Sequence, residues 1–302
     1  MSDPVYVAIE GGGTKFVCAV GHSADRVLER RVIPTRDPAT TIAEVLEFIA
    51  AAKTRYGKLH AIGMASFGPL DLRPHSPTFG HLLATPKPGW SQTNLIGPVR
   101  ERFDVPVLID MDVAAAARAE LELGAAQDVE SVAYITVGTG IGGGFAPAHN
   151  SGATLMHPEV GHLLVRRDPD DLGFPGICPF HHDCLEGLAS GPAVRARWGQ
   201  ELGTLEPTHP AAKMLGHYLG QLAAAITLIA SPQRIVFGGG VMSDGRLLPH
   251  LRASARECLN GYVTPLNSSD AFDRYIVGSG LGSEAGLAGA FLLAAGAQPP
   301  RQ

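Results

Sequence analysis

A strand–glycine turn–strand pattern occurs twice in the 302-residue sequence, and it limits the possible folds more than any other feature. The first copy has strands over 5–9 and 15–20 around the turn Glu10-Gly11-Gly12-Gly13-Thr14. The second has a strand over 132–137, a glycine turn over 138–144 and a returning strand at Phe145. Consecutive glycines favour a turn because they adopt positive φ without steric cost. The duplication predicts two similar α/β lobes with a ligand cleft between them.

Apolar periodicity supplies the other elements of each lobe. The sequence predicts further strands over 27–32, 59–64, 106–109, 163–165, 234–237 and 274–277. It predicts helices over 40–56, 94–102, 113–123, 185–198, 210–230, 248–259 and 284–294. From this order we expect an N-terminal lobe over 1–115, joined by the C-terminal helix 284–297. The C-terminal lobe is expected over 116–283.

Composition excludes several classes of function. A hydrophobic fraction of 45% with 18% charged residues is typical of a globular protein with a real core. The net charge of -5 disfavours a nucleic-acid partner, which requires a basic face. No signal peptide or membrane-length apolar run is evident, so no membrane partner is expected. The four cysteines, Cys18, Cys178, Cys184 and Cys258, form no disulfide pattern, and a reducing cytoplasm is the expected compartment.

Both glycine turns have the features of phosphate-binding loops. Successive backbone N–H groups in such a turn form a concavity that binds anions. Thr14 and Lys15 add a hydroxyl and an ammonium group to the first turn, and Thr136 and Thr139 flank Gly138 and Gly140 in the second. A plain tight hairpin is the alternative for either turn alone, and two such turns in duplicated motifs make that alternative weaker. Neither turn is a P-loop, since Gly-Lys-Ser/Thr before a helix is absent.

A third glycine cluster follows the apolar strand 234–237. Gly238, Gly239 and Gly240 would allow a flat ligand such as adenine or ribose to lie against the backbone. A tight strand-to-loop turn explains these residues equally well.

A dense group of cysteine and histidine residues predicts a metal site. Cys178-Pro-Phe-His181-His182-Asp-Cys184 gives the spacing C-x-x-H-x-x-C, and His162 lies upstream. Two Cys and two His form a normal tetrahedral set for structural Zn²⁺. The alternative is two buried thiols beside two surface histidines. Spacing alone leaves open which of His181 and His182 is the ligand.

Two carboxylates end the strand predicted over 106–109. Asp110 and Asp112 would lie at the carboxyl edge of a sheet, where α/β proteins place their sites. Transfer of a phosphoryl group to a hydroxyl requires a carboxylate to accept or orient the proton. A helix N-cap is the equally good alternative for Asp112.

Taken together, these motifs resemble the ROK family (repressor, open reading frame, kinase), and within it the bacterial fructokinases. The similarity extends over nearly the whole chain. Glu10 instead of Asp, the Phe67-Gly68-Pro69 sequence and the Cys-x-x-His zinc loop suggest the fructokinase subgroup. The motifs that carry the resemblance are 9–16, 65–69, 85–90, 112–120, 136–144, 157–162, 178–192 and 237–241.

The resemblance implies the actin-like ATPase (ribonuclease H-like) fold and ATP-dependent phosphorylation of a hexose, with D-fructose as the expected substrate. It implies Asp112 as the catalytic base, and it places Glu159, His162, Glu186, Ser66, Gly68 and Pro69 on the sugar. The two glycine turns, Gly11 to Lys15 and Thr136 to Gly140, would bind phosphates with Mg²⁺, and Gly191, Pro192 and Gly238 to Gly240 would bind the nucleotide. Structural Zn²⁺ would be held by His162, Cys178, His181 and Cys184, so the resemblance favours His181 over His182. It also implies a homodimer.

Two residues beside Asp112 depart from the family pattern. The family usually has Asn or Thr at Met111 and Asn at Ala114, so the sugar contacts there are expected to differ. One alternative function is phosphorylation of mannose, glucose or an N-acetylhexosamine. Another is a non-catalytic sugar-binding or regulatory ROK protein. A repressor of this family would need a DNA-binding module before the first hairpin, where the sequence leaves no room.

Overall fold

The structure is a computed structural model that describes residues 3–147 and 156–297. The chain forms two compact units. The first contains the described residues 3–119, 156–157 and 284–297, and the second contains 120–147 and 158–283.

The first unit has a five-stranded sheet in the order β3-β2-β1-β4-β5. The first three strands are antiparallel, and β4 and β5 run parallel to β1. The strands are β1 Tyr6–Gly11, β2 Lys15–Gly21, β3 Val27–Pro34, β4 Ala61–Ser66 and β5 Val107–Met111. The helices are α1 Pro38–Tyr56, α2 Gly97–Arg102, α3 Asp112–Glu122 and a closing helix, Ala285–Ala295. The last turn of α3 belongs to the second unit.

Local sequence explains these boundaries. The Asp37 carboxylate caps α1 by accepting a hydrogen bond from the Thr40 N–H, and Gly57 ends the helix at φ +79°. The closing helix lies directly against β4. A side chain on Gly63 would lie 2.0 Å from the Ala290 carbonyl oxygen, so only glycine permits this approach.

The second unit has a four-stranded sheet in the order β7-β6-β8-β9. Its β6–β7 hairpin is antiparallel, and β8 and β9 run parallel to β6. The strands are β6 Val132–Val137, β7 Ile141–Ala146, β8 Arg234–Gly238 and β9 Ile276–Gly278. The helices are α4 Leu185–Ala189, α5 Gly191–Trp198, α6 Ala211–Ile229, α7 Leu247–Leu259 and α8 Ser269–Tyr275. The closing helix of the first unit, Ala285–Ala295, is therefore α9.

Both sheets therefore contain the same arrangement, an antiparallel hairpin followed by two parallel strands. The predicted α/β class with a duplicated motif is confirmed. Among the described residues, no helix combines the length and the apolar character needed to cross a membrane.

Four predicted elements differ from the structure. The strand predicted over 163–165 is wrong: Leu163 follows a 3₁₀ turn over Val160–His162, and Leu164 forms only an isolated bridge with Cys184. The helix predicted over 185–198 is two helices, because the Ser190 backbone is extended and its hydroxyl caps α5.

The other two differences concern β7 and β9. The glycines at 142–144 belong to strand β7, where a side chain on Gly143 would lie 2.7 Å from Val160. Residues 274–275 end helix α8, which the sequence analysis did not predict, so β9 begins only at Ile276.

Candidate active site

The first glycine turn connects β1 to β2 and is largely exposed. The Gly12 N–H donates to the Lys15 carbonyl at 2.9 Å, which closes the turn. The Thr35 hydroxyl donates to the Gly12 carbonyl at 2.7 Å and the Lys87 ammonium group donates to the Gly13 carbonyl, so both carbonyl oxygens have partners. Thr14 and Lys15 are exposed, and a hydroxyl and an ammonium group are therefore available to an anion at this turn.

Carboxylates occupy the ends of β1 and β5. Burial raises the pKa of Glu10 to about 7, and repulsion from Asp112 and then Glu284 adds to the increase, while Lys15 and Arg30 oppose it. Asp112 is half-buried and begins α3, and its Oδ1 accepts a hydrogen bond from the Val113 N–H at 2.8 Å. The repulsion between Glu10 and Asp112 favours uptake of one proton by the pair.

Asp110, the second candidate carboxylate, has a different environment. Its Oδ1 accepts a hydrogen bond from the Met111 N–H at 2.7 Å. Burial raises its pKa, and His157 and Arg118 act in the opposite direction.

The loop after β4 contains the predicted sugar contacts Ser66, Gly68 and Pro69. Ser66 is buried, and its hydroxyl donates to the Phe67 carbonyl at 3.1 Å. The peptide bond between Gly68 and Pro69 is cis. This loop lies at the same carboxyl edge of the sheet as Asp112, because β4 and β5 are parallel neighbours that pair Ser66 with Met111.

The second glycine turn connects β6 to β7 and is fixed by backbone contacts. The Gly138 N–H donates to the Gly140 carbonyl at 2.9 Å, and the Gly191 N–H donates to the Gly138 carbonyl at 2.7 Å. The Glu186 carboxylate accepts from the Ile141 N–H at 2.8 Å. Thr139 is exposed at the tip of the turn.

A pocket of about 370 Å³ lies beside this turn within the second unit. Five of the predicted nucleotide-binding residues line it, namely Gly138, Thr139, Gly191, Pro192 and Gly240. Gly238 and Gly239 are not among its lining residues. A side chain on Gly238 would lie 2.4 Å from the Tyr134 hydroxyl, and one on Gly239 would lie 2.4 Å from the Val137 carbonyl oxygen.

Four polar side chains of this pocket were not predicted from the sequence: Arg195, Glu201, Ser243 and Asp244. Arg195 and Glu201 form an ion pair at 3.3 Å. Ser243 and Asp244 follow the third glycine cluster by three and four residues, and Arg195 follows the predicted Pro192 by three, so nearness in sequence was the local signal for these residues. Glu201 lies in a separate segment and reaches the pocket through folding.

The metal candidates lie close together in the second unit. The ligand atoms of His162, Cys178, His181 and Cys184 all lie within 4.8 Å of one another. His162 Nδ1 is 3.7 Å from Cys178 Sγ and 3.6 Å from Cys184 Sγ, and His181 Nδ1 is 3.7 Å from Cys178 Sγ. His182 is outside this group: its φ is +56°, and its backbone pairs with that of Cys178.

The last predicted sugar contact, Glu159, is exposed and precedes the 3₁₀ turn that contains His162. Its carbonyl accepts a hydrogen bond from the His162 N–H at 3.1 Å. This hydrogen bond therefore links the backbone of Glu159 directly to that of His162, one of the four metal candidates.

Comparisons with known proteins agree with the resemblance seen in the sequence. The ROK family model matches residues 6–297. The fructokinase of Zymomonas mobilis is 42% identical over 301 residues, which cover 97% of each chain. The fructokinase of Pediococcus pentosaceus is 39% identical over 289 residues, which cover 95% of this chain and 96% of the relative.

Two solved structures have similar backbones. The ROK hexokinase from Thermus thermophilus has a TM-score of 0.70 at 28% identity, covering 96% of this chain and 98% of the other. The ROK glucokinase from Streptomyces griseus, solved with glucose and AMPPNP, has a TM-score of 0.70 at 25% identity, covering 97% and 100%. The predicted fold class is confirmed at the level of the family.

Proposed function

The chain belongs to the ROK family, and on that premise we propose that it is an ATP-dependent fructokinase that converts D-fructose to fructose 6-phosphate. The observation that carries this proposal is the 42% identity to a fructokinase over 97% of both chains. Two carboxylates at one sheet edge and two glycine turns in duplicated motifs supply the groups that such a reaction needs.

Asp112 is the catalytic base in this proposal. The hydroxyl oxygen of the sugar attacks the γ-phosphorus of ATP, the bond from that phosphorus to the ADP oxygen breaks, and the hydroxyl proton passes to Asp112. Glu10 and Asp112 interact electrostatically in this arrangement, since repulsion from Asp112 adds to the effect of burial in raising the pKa of Glu10. The proposed sugar contacts are the loop residues Ser66, Gly68 and Pro69 in the first unit, and Glu159, His162 and Glu186 in the second.

The glycine turns bind the phosphates of ATP in this proposal. Gly11 to Lys15 offer backbone N–H groups, a hydroxyl and an ammonium group, and Thr136 to Gly140 offer a second set. The nucleoside part of ATP is bound by Gly191, Pro192 and Gly238 to Gly240 in this proposal. Three of these residues, Gly191, Pro192 and Gly240, line the pocket of about 370 Å³, which supports their role. When bound, Mg²⁺ would neutralise charge on the phosphates that these two turns are proposed to hold.

We also propose that His162, Cys178, His181 and Cys184 hold a structural Zn²⁺. Zn–S bonds of about 2.3 Å and Zn–N bonds of about 2.0–2.1 Å in a tetrahedron put sulfur and nitrogen about 3.6 Å apart. The sulfur–nitrogen distances of 3.6–3.7 Å match that edge. Because all four positions are filled by protein, the metal's contribution would be to hold the loop over 162–184 rather than to activate a water molecule.

Adjacent histidines provide a matched test of the zinc site. Metal analysis of the purified wild type should find one Zn²⁺ per chain. His181→Ala should lose this metal, whereas His182→Ala should keep it. Equal zinc content in the two variants, or no zinc in the wild type, would contradict this assignment.

A panel of sugars in a coupled ADP-release assay tests the proposed reaction. Fructose should give the highest kcat/KM among fructose, glucose, mannose and N-acetylglucosamine, and chelation of Mg²⁺ should abolish turnover. Glucose is the rival substrate, because the S. griseus neighbour was solved with it. A higher kcat/KM with glucose would reject fructose, and no ADP release with any sugar would reject the kinase function.

We further propose a homodimer in the cytoplasm. The cysteines Cys18, Cys178, Cys184 and Cys258 are all free thiols, which suits a reducing compartment. Sedimentation equilibrium would test the dimer, since a mass near the 31.6 kDa of one chain would contradict it.

A further inference from the structure

Met111 packs its side chain on Gly68. A side chain on Gly68 would begin 2.5 Å from Met111 Cε and 2.8 Å from Met111 Sδ, so the thioether end lies directly over the glycine α-carbon. Met111 is the last residue of β5 and is 6% exposed. It is joined by one peptide bond to Asp112, the proposed base.

The loop over 66–69 is fixed on both sides of this contact. Before Gly68, the Phe67 N–H donates to the Gly11 carbonyl at 2.8 Å, and the Phe67 ring meets the buried Trp90 edge-on at 5.6 Å. After Gly68, the Pro69 carbonyl accepts from the Leu83 N–H at 2.7 Å. Between these two fixed ends, Gly68 packs against the Met111 side chain at the end of β5.

We propose that Met111 is a positioning residue that sets hexose selectivity by fixing Gly68 relative to Asp112. This inference rests on the proposed function, which places the hexose between the loop over 66–69 and the base. Met111 acts through volume: its thioether is at most a weak hydrogen-bond acceptor, and it fills space that Gly68 leaves empty. A change in this volume would shift Gly68, and a displacement of about 1 Å in a group that positions substrate can cost about 10²-fold in rate.

The first test truncates Met111 and compares hexoses. Met111→Ala removes the Cγ methylene, the sulfur and the terminal methyl group that pack on Gly68, so it should raise the KM for fructose by about tenfold or more. The kcat/KM ratio of fructose to mannose should fall with it. The KM for ATP should stay within about twofold, because an interaction lost only on the sugar side leaves nucleotide binding intact. Met111→Leu, of similar volume, should retain the ratio within about threefold.

The second test approaches the same contact from Gly68. Gly68 does not have a positive φ, so the backbone accepts alanine and the main obstacle is the flexible end of Met111. Gly68→Ala should lower kcat/KM for fructose. Adding Met111→Ala should then raise kcat/KM again by about threefold or more, since residues in contact have non-additive effects. Thermal melting of each variant shows whether it is folded.

The outcomes separate this inference from the proposed function. If the wild-type protein phosphorylates no sugar, the proposed function fails. If the wild type is active but Met111→Ala leaves the hexose KM and the sugar ratio unchanged, the inference is overturned. It is also overturned if the double variant is no better than Gly68→Ala alone.

Discussion

The two units share a sheet arrangement but differ in what their strand ends carry. In the first unit, Glu10 lies one residue before the end of β1, Ser66 ends β4 and Asp112 follows β5, and all three have polar side chains. In the second unit, Gly138 follows β6, Gly238 ends β8, and Gly278 ends β9 just before Ser279. The first unit thus carries two carboxylates near its strand ends, and the second carries a glycine at or next to the end of each of these three strands.

The difference assigns separate chemistry to the two units. Carboxylates exchange protons, whereas glycines let a ligand approach backbone N–H groups. The buried carboxylate Glu120 of the second unit has a structural role: it accepts hydrogen bonds from the Ala125, Gly280 and Leu281 N–H groups at 2.7–3.1 Å. The first unit therefore supplies the proposed base, and the second supplies the pocket proposed for the nucleotide.

The largest effect is expected from removing the proposed base. Asp112→Asn should lower kcat/KM for fructose by about 10²–10⁴-fold, because general base catalysis contributes that much. Asp110→Asn is the matched control, two residues earlier at the same strand end, and it should retain activity within about tenfold. Steady-state kinetics with both variants tests the division of roles. If Asp112→Asn kept wild-type activity, or if Asp110→Asn lost more activity than Asp112→Asn, Asp112 would not be the catalytic base.

The sequence predicted both hairpins and most helices because each is encoded by local periodicity and by glycine. The strand predicted over 163–165 was wrong, since three apolar residues in a row do not show where their backbone groups bond. The Leu163 carbonyl accepts from the Leu185 N–H, and Leu164 is 76% exposed. Both observations depend on the tertiary structure, which the local sequence does not show.

Similar limits apply to the candidate site. Spacing could not choose between His181 and His182. The structure groups His181 with the other three candidates, whereas the chain turns at His182 with positive φ. The Met111–Gly68 contact joins the end of β5 to the loop after β4, and the two residues are more than forty positions apart in sequence. The sequence showed that Met111 was unusual, but its packing partner became evident only in the folded chain.

Two adjacent glycines after β8, Gly239 and Gly240, allow the effect of packing and the effect of ligand access to be tested separately. Gly239 has φ +90°, and a side chain there would clash with the Val137 backbone, so Gly239→Ala should lower the free energy of unfolding by about 2–6 kcal/mol. Gly240 has open space, and Gly240→Ala should change stability by less than about 0.5 kcal/mol. Its KM for ATP should rise about tenfold, equivalent to about 1.4 kcal/mol, if nucleotide approaches this backbone.

Denaturant unfolding and ATP kinetics measure these two quantities. If Gly240→Ala is as unstable as Gly239→Ala, both glycines serve packing. If it is stable and binds ATP normally, the contribution of this glycine to nucleotide binding is refuted.

The smallest effect is expected from Glu10, whose titration links the proposed active site to stability. The folded protein holds its proton more tightly than the unfolded chain, so this stabilisation is complete below pH 4.5 and is lost as pH rises to about 7. The loss reaches up to about 3 kcal/mol for a shift of this size. Glu10→Gln should remove this dependence in the ligand-free protein, whereas Glu47→Gln at an exposed position on α1 should keep it. Urea unfolding at pH 5, 6, 7 and 8 measures the slope. Equal slopes in Glu10→Gln and wild type would mean that burial and repulsion from Asp112 do not raise the pKa of Glu10 in solution, and the two carboxylates would then titrate independently of each other.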